Sequence, residues 1–377
     1  MRREQVLLLL VVVGLAAGAW QAAPTQPKST EPAAEDRDSQ QKPDVAPQKS
    51  LVLIYDQIPT RSGQRQMLEV GATQYLIVYQ GTDPQAKGGR INSDLVIQDI
   101  ERRAVKSLPR FGILDFEDPY AEILQKGASD PRWQDTISNM VAVIRLVRTR
   151  FPNTLWTYYG VPFVPFWING TDWESATPEN RKAELEKLYQ ANAMLVSELD
   201  WVNCSIYPVY DPTLFNPAKP ELVRAQGRAW RRTSVSLSRI LANGKPVIPM
   251  VSPYWQPNGV ARAGFPVPKD QFIEDQVAVA VDGGAVGIAV WTGIDTFIDL
   301  AIRGEPQDST PSSEFSAKGW REVFTTEFLS GVEPSVWSDP SVRAVVEAKA
   351  ACQIGDAIRW IRDWESAGSK PVGAVKD

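Results

Sequence analysis

The stretch Ala285-Val286-Gly287-Ile288-Ala289-Val290-Trp291 alternates small residues with branched ones. Successive side chains of a β-strand point to opposite faces, so Ala285, Gly287, Ala289 and Trp291 share one face, and Val286, Ile288 and Val290 the other. The branched face suits packing on helices. The small face leaves space on the inner side, with Trp291 at the carboxyl end of the strand. That division supports a sheet closed on itself. Six further runs rich in β-branched and aromatic residues precede this one: Leu51–Ile58, Tyr75–Gln80, Phe111–Glu117, Leu155–Gly160, Trp201–Pro208 and Pro246–Pro253. The starts of the seven are 24, 36, 44, 46, 45 and 39 residues apart. Each gap has room for a helix and two loops, the rhythm of βα units around a parallel sheet.

The gaps carry helical patterns. Ile137, Met140, Val141, Ile144 and Val147 fall on one face of a helix, and Leu185, Leu188, Met194, Leu195 and Leu199 roughly on one face of another. Pro220 to Leu241 ends at Asn243-Gly244, and Gln271 to Val281 at Gly283-Gly284, both suited to helix C-caps. The rival architecture, an open doubly wound sheet, usually shows a Gly-rich phosphate turn after its first strand. Here Pro59-Thr60-Arg61-Ser62-Gly63 stands in that place. The expected fold class is therefore α/β: a (β/α) barrel of the TIM type with seven strands and extra C-terminal helices. A chain of 377 residues has room for one such barrel, whose usual size is ~250 residues.

The first 50 residues read differently. Met1-Arg2-Arg3 is basic, Val6 to Leu15 is nearly all apolar, and Ala16-Ala17-Gly18-Ala19 follows. This is the layout of a secretory signal peptide over 1–19, which places the mature protein outside the cell or in the periplasm. An uncleaved anchor is the rival reading, but a membrane span needs ~20 apolar residues. No membrane span is expected once the signal is removed. Residues 20–50 are rich in Pro, Gln, Ala, Lys and Asp and read as a disordered tether. Residues 51–377 form one barrel domain, of which 303–377 is a helical extension. Within it Trp360 and Trp364 lie four apart, placed to dock on the barrel.

Composition narrows the chemistry. The chain has no His, which excludes a Ser-His-Asp triad, a Cys-His pair and imidazole metal ligands. Its 2 Cys cannot build a four-cysteine zinc site. A net charge of -5 argues against a nucleic-acid partner, which would need a basic face. No metal and no organic cofactor are implied. Carboxylates, Tyr, Lys and Ser remain as reactive groups.

The third run, Phe111-Gly112-Ile113-Leu114-Asp115-Phe116-Glu117-Asp118-Pro119, supplies the reactive pair. Asp115 and Glu117 are two apart and share a face; Leu114 and Phe116 share the other. With the apolar pair packed outward on helices, both carboxylates point into the barrel at the end where barrel enzymes keep their chemistry. Close, buried like charges raise at least one pKa. A carboxylic acid kept protonated near neutral pH is what protonating a glycosidic oxygen requires. The competing structural reading is two acids ending a strand in solvent, and Asp118-Pro119 fits it; Asp115, flanked by apolar residues, fits it less well. Most glycosidases place two carboxylates across the sugar bond. Here both lie on one strand, about 6–7 Å apart at Cα by strand rise. That suits one acid with a supporting carboxylate and a nucleophile from the substrate, the 2-acetamido group of an N-acetylhexosamine. Sugar rings sit well on aromatic planes. The aromatic residues near strand ends include Tyr158, Tyr159, Tyr207, Tyr210, Trp255 and Trp291, which are the candidates for substrate binding. Phe163 and Phe166 are read as core.

At these residues the chain resembles the hyaluronidase family, glycoside hydrolase family 56. Ile54-Tyr55-Asp56-Gln57-Ile58-Pro59-Thr60 is similar to its first-strand Tyr-Trp-Asn-Val-Pro-Thr pattern, and Gly112-Ile113-Leu114-Asp115-Phe116-Glu117 to its Gly-Val-Ile-Asp-Trp-Glu. Leu155-Trp156-Thr157-Tyr158-Tyr159-Gly160-Val161-Pro162 resembles its Leu-Trp-Gly-Tyr-Tyr-Gly-Phe-Pro, and Ser205-Ile206-Tyr207-Pro208-Val209-Tyr210 its Leu-Tyr-Pro-Ser-Ile-Tyr. Gly88-Gly89 with the helix from Ser93, Pro246-Val247-Ile248-Pro249, and Gly284 to Trp291 complete seven matches in order over Leu51 to Trp291. The resemblance implies a divergent, bacterial-type member with a seven-stranded barrel and substrate-assisted retention through an oxazolinium intermediate. By resemblance Glu117 is the acid, Asp115 its supporting carboxylate and Tyr159 the acetamido contact. The tyrosine after the fifth strand is Tyr207 or Tyr210, and Trp291 is the strand-seven tryptophan.

The departures bear on substrate more than on chemistry. Phe116 stands for the family's usual Trp, and Trp255-Gln256 where many members carry an acid. Cys204 points outward by parity with Tyr207; it and Cys352 form either one disulfide or two buried free thiols. A polyanion wants a basic groove, for which Arg61, Arg65, Lys87 and Arg90 are the candidates. The leading expectation is a secreted endo-acting hydrolase of a polysaccharide or glycosaminoglycan. The alternatives are the same reaction on a chitin-like or peptidoglycan-like glycan, and an inactive carbohydrate-binding barrel.

Overall fold

The computed structural model describes residues 50–55, 65, 67–80, 83, 89–104, 108–163, 177–208, 211–255, 266–291, 339 and 354–368. All of these lie in the unit Lys49–Asp377. The signal and tether expectations fall outside them, Ser50 excepted, as do Cys352, Phe166, Tyr210 and most of the 303–377 extension. Among the described residues no helix is long and apolar enough to cross a membrane.

Six parallel strands form one curled sheet: β1 (Val52–Tyr55), β2 (Ala72–Tyr79), β3 (Phe111–Asp115), β4 (Leu155–Tyr158), β5 (Met250–Val251) and β6 (Gly287–Val290), in the order β4-β3-β2-β1-β6-β5. The expectation of seven strands is corrected at the run Trp201–Pro208, which forms none. Its backbone instead makes isolated parallel bridges to both edges of the sheet: Asn203 with Tyr159 on one side, Val202 with Val247 and Ser205 with Met250 on the other. The pairings are not consecutive on either side, so no ladder builds up. An Asn203 side-chain bond to the Ile248 carbonyl (2.8 Å) adds to the backbone pairing there.

The two faces separate as the alternation predicts. Leu114, Phe116, Ile288 and Val290 pack in the cluster shared with the helices. Ile54, Tyr75, Ile77, Phe111, Ile113, Trp201, Ile248, Met250 and Ala289 form a second, inner cluster. Helices α1 (Ser93–Arg103), α2 (Tyr120–Lys126), α3 (Trp133–Arg150), α4 (Pro178–Glu198) and α5 (Pro220–Ala242) cover the outside. The α3 stripe of Ile137, Met140, Val141, Ile144 and Val147 is buried as its spacing requires. On α4, Leu188 and Leu195 are buried, but Met194 is 45% exposed, one position off the apolar stripe. Asn243 ends α5 in the left-handed conformation (φ 48°), followed by Gly244 (φ 88°), the cap that Asn-Gly suggests.

The C-terminal helix over 354–366 closes the end where β1 and β2 begin. Ile354, Ala357, Ile358 and Ile361 are buried in the outer cluster that packs on the sheet. Trp360 packs edge-on to Phe272 (centroids 6.2 Å apart) with the Lys269 ammonium over its ring, and Trp364 also packs on the core. The Arg362 guanidinium donates to the carbonyls of Leu51, Val70 and Gly71 at 3.0–3.1 Å, and Glu365 accepts from Leu51 N–H at 2.7 Å. Opposite this latch, the carboxyl ends of the strands are free to carry a site.

Candidate active site

β3 ends at Asp115, directly opposite Tyr79 of β2. Because Phe111 and Ile113 face inward, Asp115 and Glu117 continue that face. The two carboxyls are hydrogen-bonded to each other. Burial, then the Glu117 charge, hold Asp115 well above the usual carboxylate range. Glu117 keeps a solvent-exposed face, yet protein surrounds the rest of it. That burial and the Asp118 carboxylate push Glu117 up to about 7, while the bond from Asp115 pulls the other way. Both carboxyls therefore keep their protons to higher pH than exposed ones do. Asp115 Oδ1 is buried with no hydrogen-bond partner, an arrangement that costs about 1–3 kcal/mol when nothing fills it.

Aromatic residues stand beside the pair. Tyr159 follows β4, is 9% exposed, and feels both the Glu117 and the Asp115 charge. Burial and those two carboxylates raise its phenol well above the ordinary value, so it stays a hydroxyl donor. The Tyr159 ring stacks on Tyr207 (6.2 Å, 26°), and Tyr207 on Trp291 (5.0 Å, 21°). The Tyr207 hydroxyl reaches Met250 Sδ at 2.7 Å. Arg231, buried on α5, holds the strand-like segment beneath this ring by donating to the Ile206 carbonyl at 3.0 Å. Burial lowers its guanidinium to about 10, so it remains a cation at neutral pH.

The structure thus brings Asp115, Glu117, Tyr159, Tyr207 and Trp291 together. It does not add Tyr158 or Trp255. Tyr158 lies on the helix-facing side of β4 with its hydroxyl on the Met140 carbonyl of α3 (3.0 Å). Trp255 is 6% exposed and packs in the same outer cluster. Strand parity already separates Tyr158 from Tyr159, since neighbours in a strand face opposite ways. Tyr210 lies outside the described residues. Cys204 is a buried free cysteine on the outer side. Tyr79 is the residue the sequence reading missed: it is 39% exposed, lies opposite Asp115, and its Oη is 3.5 Å from the Trp291 indole nitrogen. Its parity with Tyr75 and Ile77 was the available signal.

Among the described residues no group of three or more acidic or cysteine side chains is placed to hold a metal ion. A cavity of about 560 Å³ lies elsewhere, between the start of α1 and α3, lined by Arg90, Asn92, Ser93 and Asn139 among others. It contains none of the acid pair or its aromatic neighbours. Arg61 and Lys87, two of the basic candidates, lie outside the described residues.

The raised carboxyls set a sign for stability against pH. Their folded pKa values exceed the unfolded ones, ~3.9 for Asp and ~4.3 for Glu. Below about pH 4 both states hold the protons and the pair has no cost. As pH rises from about 4 through 7, the unfolded chain releases protons that the folded one retains, so stability falls. Asp115→Asn is therefore expected to raise Tm by about 2–4 °C near pH 8 and to leave it unchanged near pH 3, as calorimetry at the two pH values would show. An equal shift at both would remove ionisation as the cause.

No protein-family model matches the chain, and no curated protein matches it in sequence. Among solved structures, the monoclinic crystal form of bee venom hyaluronidase is similar at 13% identity with a TM-score of 0.43, covering 74% of this chain and 99% of that one. Bee venom hyaluronidase in complex with a hyaluronic acid tetramer is similar at 16% identity with a TM-score of 0.41, covering 74% and 98%. Likeness at this level carries no statement about the reaction or the substrate, and gives no support to the expectation of a bacterial-type member.

Proposed function

We propose that the protein is a glycoside hydrolase that cuts within a polysaccharide at an N-acetylhexosamine, with Glu117 as acid and then base. The observation that carries this reading is the hydrogen-bonded Asp115–Glu117 pair, with Glu117 pushed up to about 7. Acid and nucleophile of an ordinary retaining glycosidase stand about 5–5.5 Å apart, and those of an inverting one further. Two carboxyls that hydrogen-bond each other are too close to flank a sugar bond. One donor and one supporting group fit instead, with the 2-acetamido oxygen of the substrate attacking C1.

In this mechanism Glu117 gives its proton to the glycosidic oxygen as the C1–O bond breaks, and the acetamido oxygen bonds to C1. The acetamido nitrogen gains positive character. Asp115 Oδ1, buried and without a protein partner, is suited to accept its N–H. The Tyr159 hydroxyl, next to both carboxylates, is suited to donate to the acetamido group. Glu117, now a carboxylate, takes a proton from the water that reopens the ring, and configuration at C1 is retained. The Tyr207–Trp291 stack offers a flat apolar surface for a sugar ring.

Within this reading, the 202–205 bridges are the seventh staves of a closed barrel, and residues 1–19 direct export. Hyaluronan or another glycosaminoglycan is the first substrate proposed, with a strand-five tyrosine, Tyr207 or Tyr210, completing the acetamido pocket. A chitin-like or peptidoglycan-like glycan is the second, favoured by the net charge of -5, which does little to attract a polyanion. The test is release of reducing ends from hyaluronan, chondroitin and chitin oligosaccharides, with the first anomer followed by NMR. Cleavage with retention, lost on substrates stripped of the N-acetyl group, is expected. Inversion, or equal cleavage of stripped substrates, overturns substrate assistance; binding without cleavage of any polymer leaves a carbohydrate-binding barrel.

A further inference from the structure

We infer that Gln80 is a positioning residue for Glu117: its side-chain amide stands in for the neighbouring strand where the β2–β3 ladder ends, and holds the backbone of the acid in register. The inference rests on the reading of Glu117 as the acid. The last residue pair of the ladder is Tyr79 with Asp115. Gln80 is the next residue along, half-buried at the end of β2. Its Oε1 accepts the Glu117 backbone N–H at 3.1 Å, and its Nε2 donates to the Asp118 carbonyl. A primary amide carries a donor and an acceptor as a peptide group does, so one side chain continues the pairing that the strands no longer make.

The other side of the peptide is also taken, because the Glu117 carbonyl accepts the Ala121 N–H of α2 at 2.7 Å. With both its backbone groups engaged, Glu117 keeps only its side-chain rotations. The same device recurs past β5, where Gln276 receives the Ser252 N–H and donates to the Ser252 carbonyl, both at 3.0 Å. Asn139 brackets Ile91 in the same way, at 2.6 and 3.1 Å. Gln276 sits in a π-helical stretch (Ile273–Ala278), an irregularity often found at functional sites. Neither Gln276 nor Asn139 contacts the acid, whereas Gln80 bonds the Glu117 N–H and the carbonyl of the residue that follows it.

The groups facing Glu117 are Asp115 and Asp118 from its own segment and Tyr159 beyond β4, with Tyr207 behind Asp115. Without the clamp the segment moves outward, the carboxyl meets water, and its titration falls toward ~4.3. The test uses the full chain as parent, Gln80→Ala and Gln80→Glu. The second keeps an acceptor for the Glu117 N–H but cannot donate to the Asp118 carbonyl when ionised. Two readouts are taken: kcat and KM across pH, and the carboxyl titration of Glu117 by carbon-13 NMR, assigned with Glu117→Gln. Both variants are expected to lose about 10–100-fold in kcat with KM held within about threefold. In Gln80→Ala the Glu117 titration and the basic limb of the rate profile both move down by about one pH unit or more. An unmoved titration in Gln80→Ala overturns the inference, whatever happens to kcat. If the parent cleaves no glycan, the glycosidase reading fails by itself, and the NMR titration still decides the clamp.

Discussion

Glu117→Gln is expected to lower the rate of glycan cleavage by about 10²–10⁴-fold, the range for losing a general acid, while leaving the fold intact. The amide has the shape of the carboxyl and can still bond to Asp115, but it has no proton to give to the leaving oxygen. Asp115→Asn should cost a comparable factor, because the two carboxyls act as one hydrogen-bonded unit. The double variant should then be little worse than either single one, as groups that act together are strongly non-additive. KM should change least, since the lost interaction belongs to the transition state. The stability signs are opposite to the activity signs: removing a carboxyl whose pKa is raised stabilises the protein above about pH 5, where the unfolded chain is ionised. Steady-state kinetics with thermal melts on the same samples would check both. Full activity in Glu117→Gln would sink the assignment of the acid, and a loss of activity matched by a fall in Tm would make it a folding defect.

Gly287→Ala should produce the largest loss of stability, about 3–4 kcal/mol. A Cβ at this position would lie 2.4 Å from the Val52 carbonyl oxygen and 2.8 Å from the Val52 Cβ. The obstacle is backbone, which cannot rotate aside. Val52 is paired with Gly287 in the ladder, and its N–H bonds to the Val286 carbonyl at 3.1 Å. Relief would require β1 to shift, and β1 stands between β2 and β6 near the middle of the sheet. The shift would pass to Ile54 in the inner cluster and to Leu53 in the outer one. Gly244→Ala is the control. A Cβ there meets nothing within 4 Å, but φ is +88°. Its cost is the conformational one, about 1–2 kcal/mol. Urea unfolding of the two variants should therefore separate them by a factor of about two or more; equal losses would mean that the contact with Val52 relaxes freely.

Most of the sheet and its sidedness were legible in the residues. Six of the seven runs coincide with a strand, β2 starting three residues before its run, and the alternation in Phe111–Asp115 and Gly287–Val290 sorts side chains between helices and interior. The run Trp201–Pro208 misled for a local reason. It has the composition of a strand, but strand identity depends on consecutive partners, and here they are supplied singly by Tyr159, Val247 and Met250. Tyr158 and Trp255 carry aromatic rings near strand ends, but strand parity turns Tyr158 toward α3 and packing draws Trp255 into the outer cluster. Gln80 was not legible at all. A glutamine after a strand is ordinary in sequence, and its meaning comes from Glu117 and Asp118, 37 and 38 residues away.

By itself the sequence determined the possible chemistry and the face on which it sits. The absence of His leaves carboxylates, Tyr, Lys and Ser as the reactive groups, and a spacing of two in an extended strand puts Asp115 and Glu117 on one side, because that period is a property of the backbone. Tertiary structure alone decided what those groups are worth. The raised pKa values come first from burial, which adds to the repulsion between neighbours along the chain. The stack of Tyr159, Tyr207 and Trp291 is assembled from three separate segments of the chain. Local spacing sets direction; desolvation, stacking and the clamp on Glu117 require neighbours that only folding brings within a few ångströms.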